Sequence, residues 1–390
     1  MTLKTIGTSL VKWLIVLSCI FLLVSQNSKY YVVQNLEIYL FFLTFFVFAF
    51  FGGSLTDVKN KKISLFLFLS SFLFLLFTCV IHFERPFVTT VYEIVFGSLF
   101  ILMRYECRDW IYDKFIKIIS LLFFLGICEY ALMNIGIDFI WGTYEREQME
   151  FYQGIFTSVP VYYKEVPARF HAFCDEPGTV GTIAFFILAT IDRNKYKKEF
   201  YITLVAGVLS FSMAFYLLGA LYLIFNFRKY LFSIKSIVII ILLSLVAYFT
   251  LAEFLDQRVF QRINSKEAIE TLDNRNSDVV NKKFDTFIKS SDCVFGLGHR
   301  TYYDWKKKTD NISVGLKEQV FMYGIFGVSI MVLIFSSVFL RYNGKKKKNI
   351  VMLTLFWISF YQRSYWLFPP LIILLFSNKN IYENRSLNIS

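Results

Sequence analysis

The stretch Arg169 to Val180, "RFHAFCDEPGTV", gathers a guanidinium, an imidazole, a thiol and two carboxyls between two apolar runs. Glu176 is the candidate general base. A carboxylate held at an apolar surface is partly desolvated, which raises its pKa and suits it to take a proton from a hydroxyl. Arg169 lies seven residues earlier, two turns if the segment is helical, so both groups can face one cavity. A plainer structural reading stands beside this one: Pro177 suits a first helical turn, and Asp175 or Glu176 can cap the helix that follows. His171, Cys174 and Asp175 can also be read as metal ligands, but their spacing matches no established site.

A second set of groups falls in the polar gap 255–319. It carries Arg258, Arg262, Arg275 and Arg300, with Lys266, Lys282, Lys283 and Lys306 to Lys308. Guanidinium forks bind phosphate oxygens bidentately, and such a cluster beside a bilayer suits a lipid-linked diphosphate. The run "KKK" at Lys306 to Lys308 reads as a solvated face. "VFGLGHRTYYDW", Val294 to Trp305, offers Gly296 and Gly298 for a close backbone approach, with His299 and Arg300 beside them. A glycine-rich phosphate loop, "HExxH", paired "CxxC" and "GxSxG" are all missing, so ATP-driven, zinc and serine hydrolase chemistry lack support.

The elements that must position these groups are membrane helices. The 390 residues are 56% hydrophobic, 20% aromatic and only 18% charged, with a mean hydropathy of +0.53, the balance of a polytopic membrane protein. Hydrocarbon tolerates no unpaired backbone, and the period-2 alternation of a barrel is missing, so the apolar runs are read as helices. The net charge, 41 − 29 = +12, sits mostly in short loops between apolar runs. It reports topology, not nucleic-acid binding. Twelve spans are predicted: 10–24, 36–55, 63–81, 87–103, 116–135, 178–191, 200–210, 213–227, 237–254, 320–340, 350–360 and 365–376. The first is read as a retained helix, since no small-residue cleavage site follows it.

Basic loops at 59–62, 104–117, 192–198, 227–235 and 341–348 are placed in the cytoplasm, so an even number of spans separates each from the next. The chain must therefore turn back near "SFS", Ser210 to Ser212, and again at "YQRSY". Both termini fall inside, with a short tail at 378–390, and one membrane domain covers 1–377. The polar gaps 138–177 and 255–319 fall outside. Cys174 and Cys293, the two cysteines in those gaps, can pair there. Glu93 and Glu129 lie within predicted spans, where acids mark substrate paths by default, and they keep a transporter or lipid-oligosaccharide flippase open as a reading.

Taken in order, "RFHAFCDEPGTVGT", "SFS", "FGLGHR" and "TDNISVGLKEQVFMYGIFG" resemble the Wzy-type polymerases of bacterial O-antigen and capsular polysaccharides, a superfamily shared with the O-antigen ligases. Arg169, Phe173, Glu176 and Pro177 match that group's first motif. Gly296 and Gly298, then Asp310, Asn311 and Ser313, then Tyr323, Gly324, Ile325 and Gly327 match the later ones. Ligases usually show a histidine where this chain has Asp310, which tilts the resemblance toward a polymerase.

The resemblance implies an all-α fold of the GT-C-like kind and a metal-independent glycosyltransferase without a cofactor. Its substrates would be undecaprenyl-diphosphate-linked oligosaccharides, with membrane lipid around them and a chain-length regulator and flippase of the same pathway as partners. Glu176 is then the first candidate base and Asp310 the second. Arg169, Arg275 and Arg300 are the foremost diphosphate contacts, with Arg262, His299 and Asn311 also in the substrate site.

Overall fold

The computed structural model describes residues 3–25, 36–84, 88–135, 142–146, 149–160, 169–174, 176–231, 278–309, 315–344, 346–363 and 366–377. Its helices are α1 Leu3–Ser25, α2 Leu36–Phe51, α3 Lys61–His82, α4 Val88–Leu102, α5 Tyr105–Asn134, α6 Pro177–Thr190, α7 Lys197–Leu209, α8 Met213–Leu231, α9 Asp278–Ile288, α10 His299–Thr309, α11 Leu316–Asn343, α12 Lys347–Gln362 and α13 Pro369–Phe376. Among the described residues, four segments are long and apolar enough to cross a membrane: Ile6–Leu23, Val58–His82, Tyr105–Asn134 and Leu316–Asn343. Shorter apolar helices, among them Pro177–Thr190 and Met213–Asn226, accompany them. This is the architecture of a helical membrane protein. The predicted span 237–254 lies outside the described residues.

The first polar gap carries a small antiparallel sheet, β1 Gly142–Arg146, β2 Met149–Gln153 and β3 Ser158–Pro160 in the order β1-β2-β3, on an otherwise helical architecture. One expectation changes: the basic segment 104–117 is not a loop, because α5 already begins at Tyr105. Its charges sit at helical spacing and find partners there. Lys117 pairs with Asp113 one turn earlier, and Arg108 is buried, donating from Nη1 to Phe376 O at 3.3 Å over the ring of Tyr342. A cation on the last carbonyls of α13 complements the negative end of that helix.

Contacts between helix ends define two ends of the bundle. At one, Leu55 and Arg104 join the start of α3 to the end of α4, and Tyr112 meets Thr190 at 3.2 Å. At the other, called the site end below, lie the finish of α3, α5, α7 and α12 and the start of α6, α8, α11 and α13. Phe211, with φ of 45°, carries the chain from α7 to α8; of the predicted "YQRSY" turn, Ser364 and Tyr365 lie outside the described residues, and α13 begins at Pro369.

The helix α11 breaks its own ladder at Gly324, where φ is 67°. Phe321 O accepts instead from Leu297 N at 2.7 Å, Met322 O from Gly298 N at 3.1 Å, and Phe326 N donates to Val294 O at 3.1 Å. The chain from Val294 to Gly298 thus fills the gap in the helix as a strand would, pairing backbone groups that the break would otherwise leave open. The close approach expected of Gly296 is real, but its target is the backbone of α11. A Cβ on Gly296 would lie 2.4 Å from Met322 O, and one on Gly324 2.2 Å from Val294 O.

Gly324→Ala should therefore lower stability by about 3 kcal/mol, from strain and overlap together. Gly53→Ala, which meets nothing within 4 Å, should be neutral. Thermal unfolding of the purified variants checks both, and equal midpoints would contradict this account of the kink.

Candidate functional site

Residues 169 to 174 form a tight turn with Ala172 at φ of 49°. The turn docks on the end of α7, where Phe170 N donates to Leu209 O at 3.0 Å and Arg169 Nε to Ser210 O at 3.3 Å. A guanidinium on the last carbonyls of a helix is favoured twice, by the hydrogen bond and by the helix dipole. Phe170 and Phe173 are fully buried anchors. Phe173 stacks on Phe123, and Phe170 meets Tyr130 edge-on. The aromatic residues thus fix where Arg169 and His171 stand.

Glu176 occupies the N-cap position of α6 with Pro177 at the first helical place, yet its side chain makes no cap hydrogen bond. The capping reading gives way to another partner. Glu176 forms an ion pair with Arg363, which lies in the turn between α12 and α13. Arg363 also donates from Nη1 to Thr179 Oγ1 at 2.8 Å. The two ends of the pair differ: the arginine side chain is 6% exposed and that of Glu176 38%. Arg363 is buried support, while Glu176 reaches open space. Sequence reasoning passed over Arg363. The available signal was a lone arginine between two apolar spans, a residue that must find an internal partner.

His171 is buried beside this pair in sequence, at 7% exposure. Asp175, the other acid of the stretch, lies outside the described residues, and with it the metal reading. Cys174 and Cys293 are both free thiols, so the pairing open to them is not made. Small residues allow the packing behind Glu176. A Cβ on Gly181 would meet Ser212 at 2.4 Å, so α6 lies directly on the α7–α8 turn.

The second set of groups is placed at the same end. His299 and Arg300 open α10, but their backbone amides are already taken: Glu84 accepts from His299 N at 2.9 Å and from Arg300 N at 2.8 Å. The side chain of Arg300 is exposed. His299 stacks on Tyr303 at 4.3 Å, and burial pushes its pKa down to about 4. Lys306 corrects the solvated reading of "KKK", since it pairs with Glu318 at 3.2 Å, whereas Lys307 and Lys308 are exposed. Lys283 lies over the Trp305 ring at 4.1 Å. Arg258, Arg262, Lys266, Arg275, Asp310, Asn311 and Ser313 fall outside the described residues.

Phe74 ties the two sets together. It packs against Tyr323 at the kink of α11 and against Trp366, three residues beyond Arg363. Glu129, an acid expected to mark a transport path, instead holds the first gap in place. Its carboxylate accepts from the amides of Ile155, Phe156 and Thr157 at 2.6, 2.6 and 2.7 Å.

No protein-family model matches the chain, and no curated protein matches it.

Two outcomes follow from that geometry. Glu176→Ala leaves a buried guanidinium without its counter-ion and should cost about 3 kcal/mol. Arg363→Met removes the buried charge and leaves Glu176 to water, so its unfolding midpoint should fall less, and the reverse order would contradict the asymmetric pair. His299 has a folded pKa below its ordinary value of 6.5, so the unfolded chain binds the proton first. Its contribution is whole above pH 6.5 and shrinks as pH falls toward 4. His299→Gln should flatten the unfolding midpoint across that window, and an unchanged slope would remove the effect.

Proposed function

We propose that the chain is a bacterial polysaccharide polymerase, a glycosyltransferase joining undecaprenyl-diphosphate-linked oligosaccharide repeat units into O-antigen or capsular polysaccharide. In this reading about twelve helices span the cytoplasmic membrane, both termini are cytoplasmic and the site end faces outward. The observation that carries it lies in the first motif. Arg169 and Phe173 belong to the turn 169–174, Glu176 and Pro177 open α6, and there a partly exposed carboxylate stands against a buried arginine at one end of the helical bundle.

The reaction needs two aids. The bond between the sugar's anomeric carbon and the lipid diphosphate breaks, with its electron pair leaving on the phosphate oxygen. A new bond forms to an acceptor hydroxyl, whose proton goes to a base. Glu176 is that base, and Arg363 is a positioning residue that fixes where its carboxylate stands. Asp310 is the second candidate for the proton. Arg300, exposed beside the kink, and Arg275 supply positive charge to the departing diphosphate, with Arg262, His299 and Asn311 on the glycan side. Each well-aimed guanidinium contributes roughly 10² to 10³ in rate. A transporter is supported less, because Glu129 already binds three backbone amides.

The test is a gene deletion complemented with variants and read on a glycan gel. Glu176→Gln and Arg300→Lys should each leave the protein in the membrane and yield single repeat units in place of polymer. Full-length polymer from both would reject the assigned roles. In the deletion itself, unattached long polymer would indicate a ligase, and repeat units trapped in the cytoplasm a flippase.

A further inference from the structure

In the segment that closes the kink of α11, Leu297 packs inward while Val294 and Phe295 are left exposed. Phe295 is 43% exposed, although its backbone is held on both sides. Val294 O accepts from Phe326 N, and Phe295 O lies 3.0 Å from His82 Nε2. Its ring meets Phe77 of α3 at 6.3 Å and Phe326 of α11 at 5.7 Å, and those two stand 5.9 Å apart. Three rings from three segments thus form one cluster, yet Phe77 and Phe326 are 41% and 44% exposed. Phe83, at the end of α3, is 96% exposed and Val80 70%. In water such a contiguous patch is unfavourable and unusual.

What covers it is indicated by its continuity with α3. Leu65, Leu69, Phe72, Leu73 and Leu76 are exposed at helical spacing, an apolar stripe that leads into Phe77. Both α3 and α11 belong to segments long and apolar enough to cross a membrane. A stripe of this kind on a spanning helix faces hydrocarbon, and the ring cluster extends it without interruption. We propose that the non-helical stretch Val294–Phe295 is seated in the lipid leaflet at the site end, with acyl chains covering Phe77, Phe295 and Phe326. The second polar gap is then a membrane-seated element at this point. Its seat fixes the depth of the chain just before α10, so His299 and Arg300 stand at the level of the lipid headgroups. This inference rests on packing and exposure and is independent of the reaction proposed above.

Photo-crosslinking in vesicles tests it. Phe295→p-benzoylphenylalanine keeps an aromatic ring and leaves all native cysteines in place, and Phe326→p-benzoylphenylalanine repeats the test on a helix. Thr301, exposed on α10, serves as the aqueous reference. In vesicles of alkyne-tagged phosphatidylcholine, positions 295 and 326 should each give roughly tenfold more lipid adduct than 301, since benzophenone inserts into C–H bonds within its reach and acyl chains supply them only in the bilayer core. Lipid labelling at 295 no higher than at 301 would overturn the proposal. A cross-linked dimer in place of lipid adducts would also overturn it, and would assign the patch to a second copy of the chain.

Discussion

The ion pair between Glu176 and Arg363 is the contact on which the site depends. It joins the first turn of α6 to the turn between α12 and α13, two elements far apart in sequence. A guanidinium taken out of water needs both a counter-charge and hydrogen-bond acceptors, and here Glu176 supplies the one and Thr179 Oγ1 adds to the other. Because α6 is buried along nearly its whole length, its start cannot shift without disturbing the core. The carboxylate is thereby held in one place while keeping a face toward open space. That combination suits a group that must meet a substrate.

Around the pair, the backbone at the site end obeys one constraint. Amides near hydrocarbon have no water to bond, so each must find a protein acceptor. Glu129 takes three of them from the first polar gap, and Glu84 takes two at the head of α10. The break at Gly324 frees carbonyls that the Val294–Gly298 chain then satisfies. Glu129, an acid that would suggest ion transport by position alone, is thus a structural ligand of the backbone, and Glu84 acts in the same way. The same economy ties both polar gaps to rigid helices, which a site built from loop residues requires.

Much of this was legible in the chain itself. Apolar runs marked the helices, and the turn that Phe211 makes between α7 and α8 falls at Ser210 to Ser212, where the basic loops on either side called for a reversal. Pro177 announced the start of α6. Charged residues were harder to read. Arg108 and its neighbours looked like a loop because polar residues ended the apolar run, whereas their helical spacing let them pair along α5 or cap α13. Gly296 and Gly298 signalled a close approach without naming what approaches, since that partner, Gly324, lies in another element. Arg363 was missed for a related reason: its role exists only once α6 is beside the last turn, and nothing local in "YQRSY" declares it. Glu176 was found by type and context, but its partner was not.

Reversing the pair tests the central claim most directly. In the doubly substituted chain, Glu176→Arg with Arg363→Glu, opposite charges still meet between α6 and the last turn, but the carboxylate has moved to the buried side. The account predicts a monodisperse, membrane-inserted protein that makes no polymer when supplied with lipid-linked repeat units in vesicles. Polymer at the wild-type rate from that chain would contradict it, because the pair would then serve only to hold the helices together.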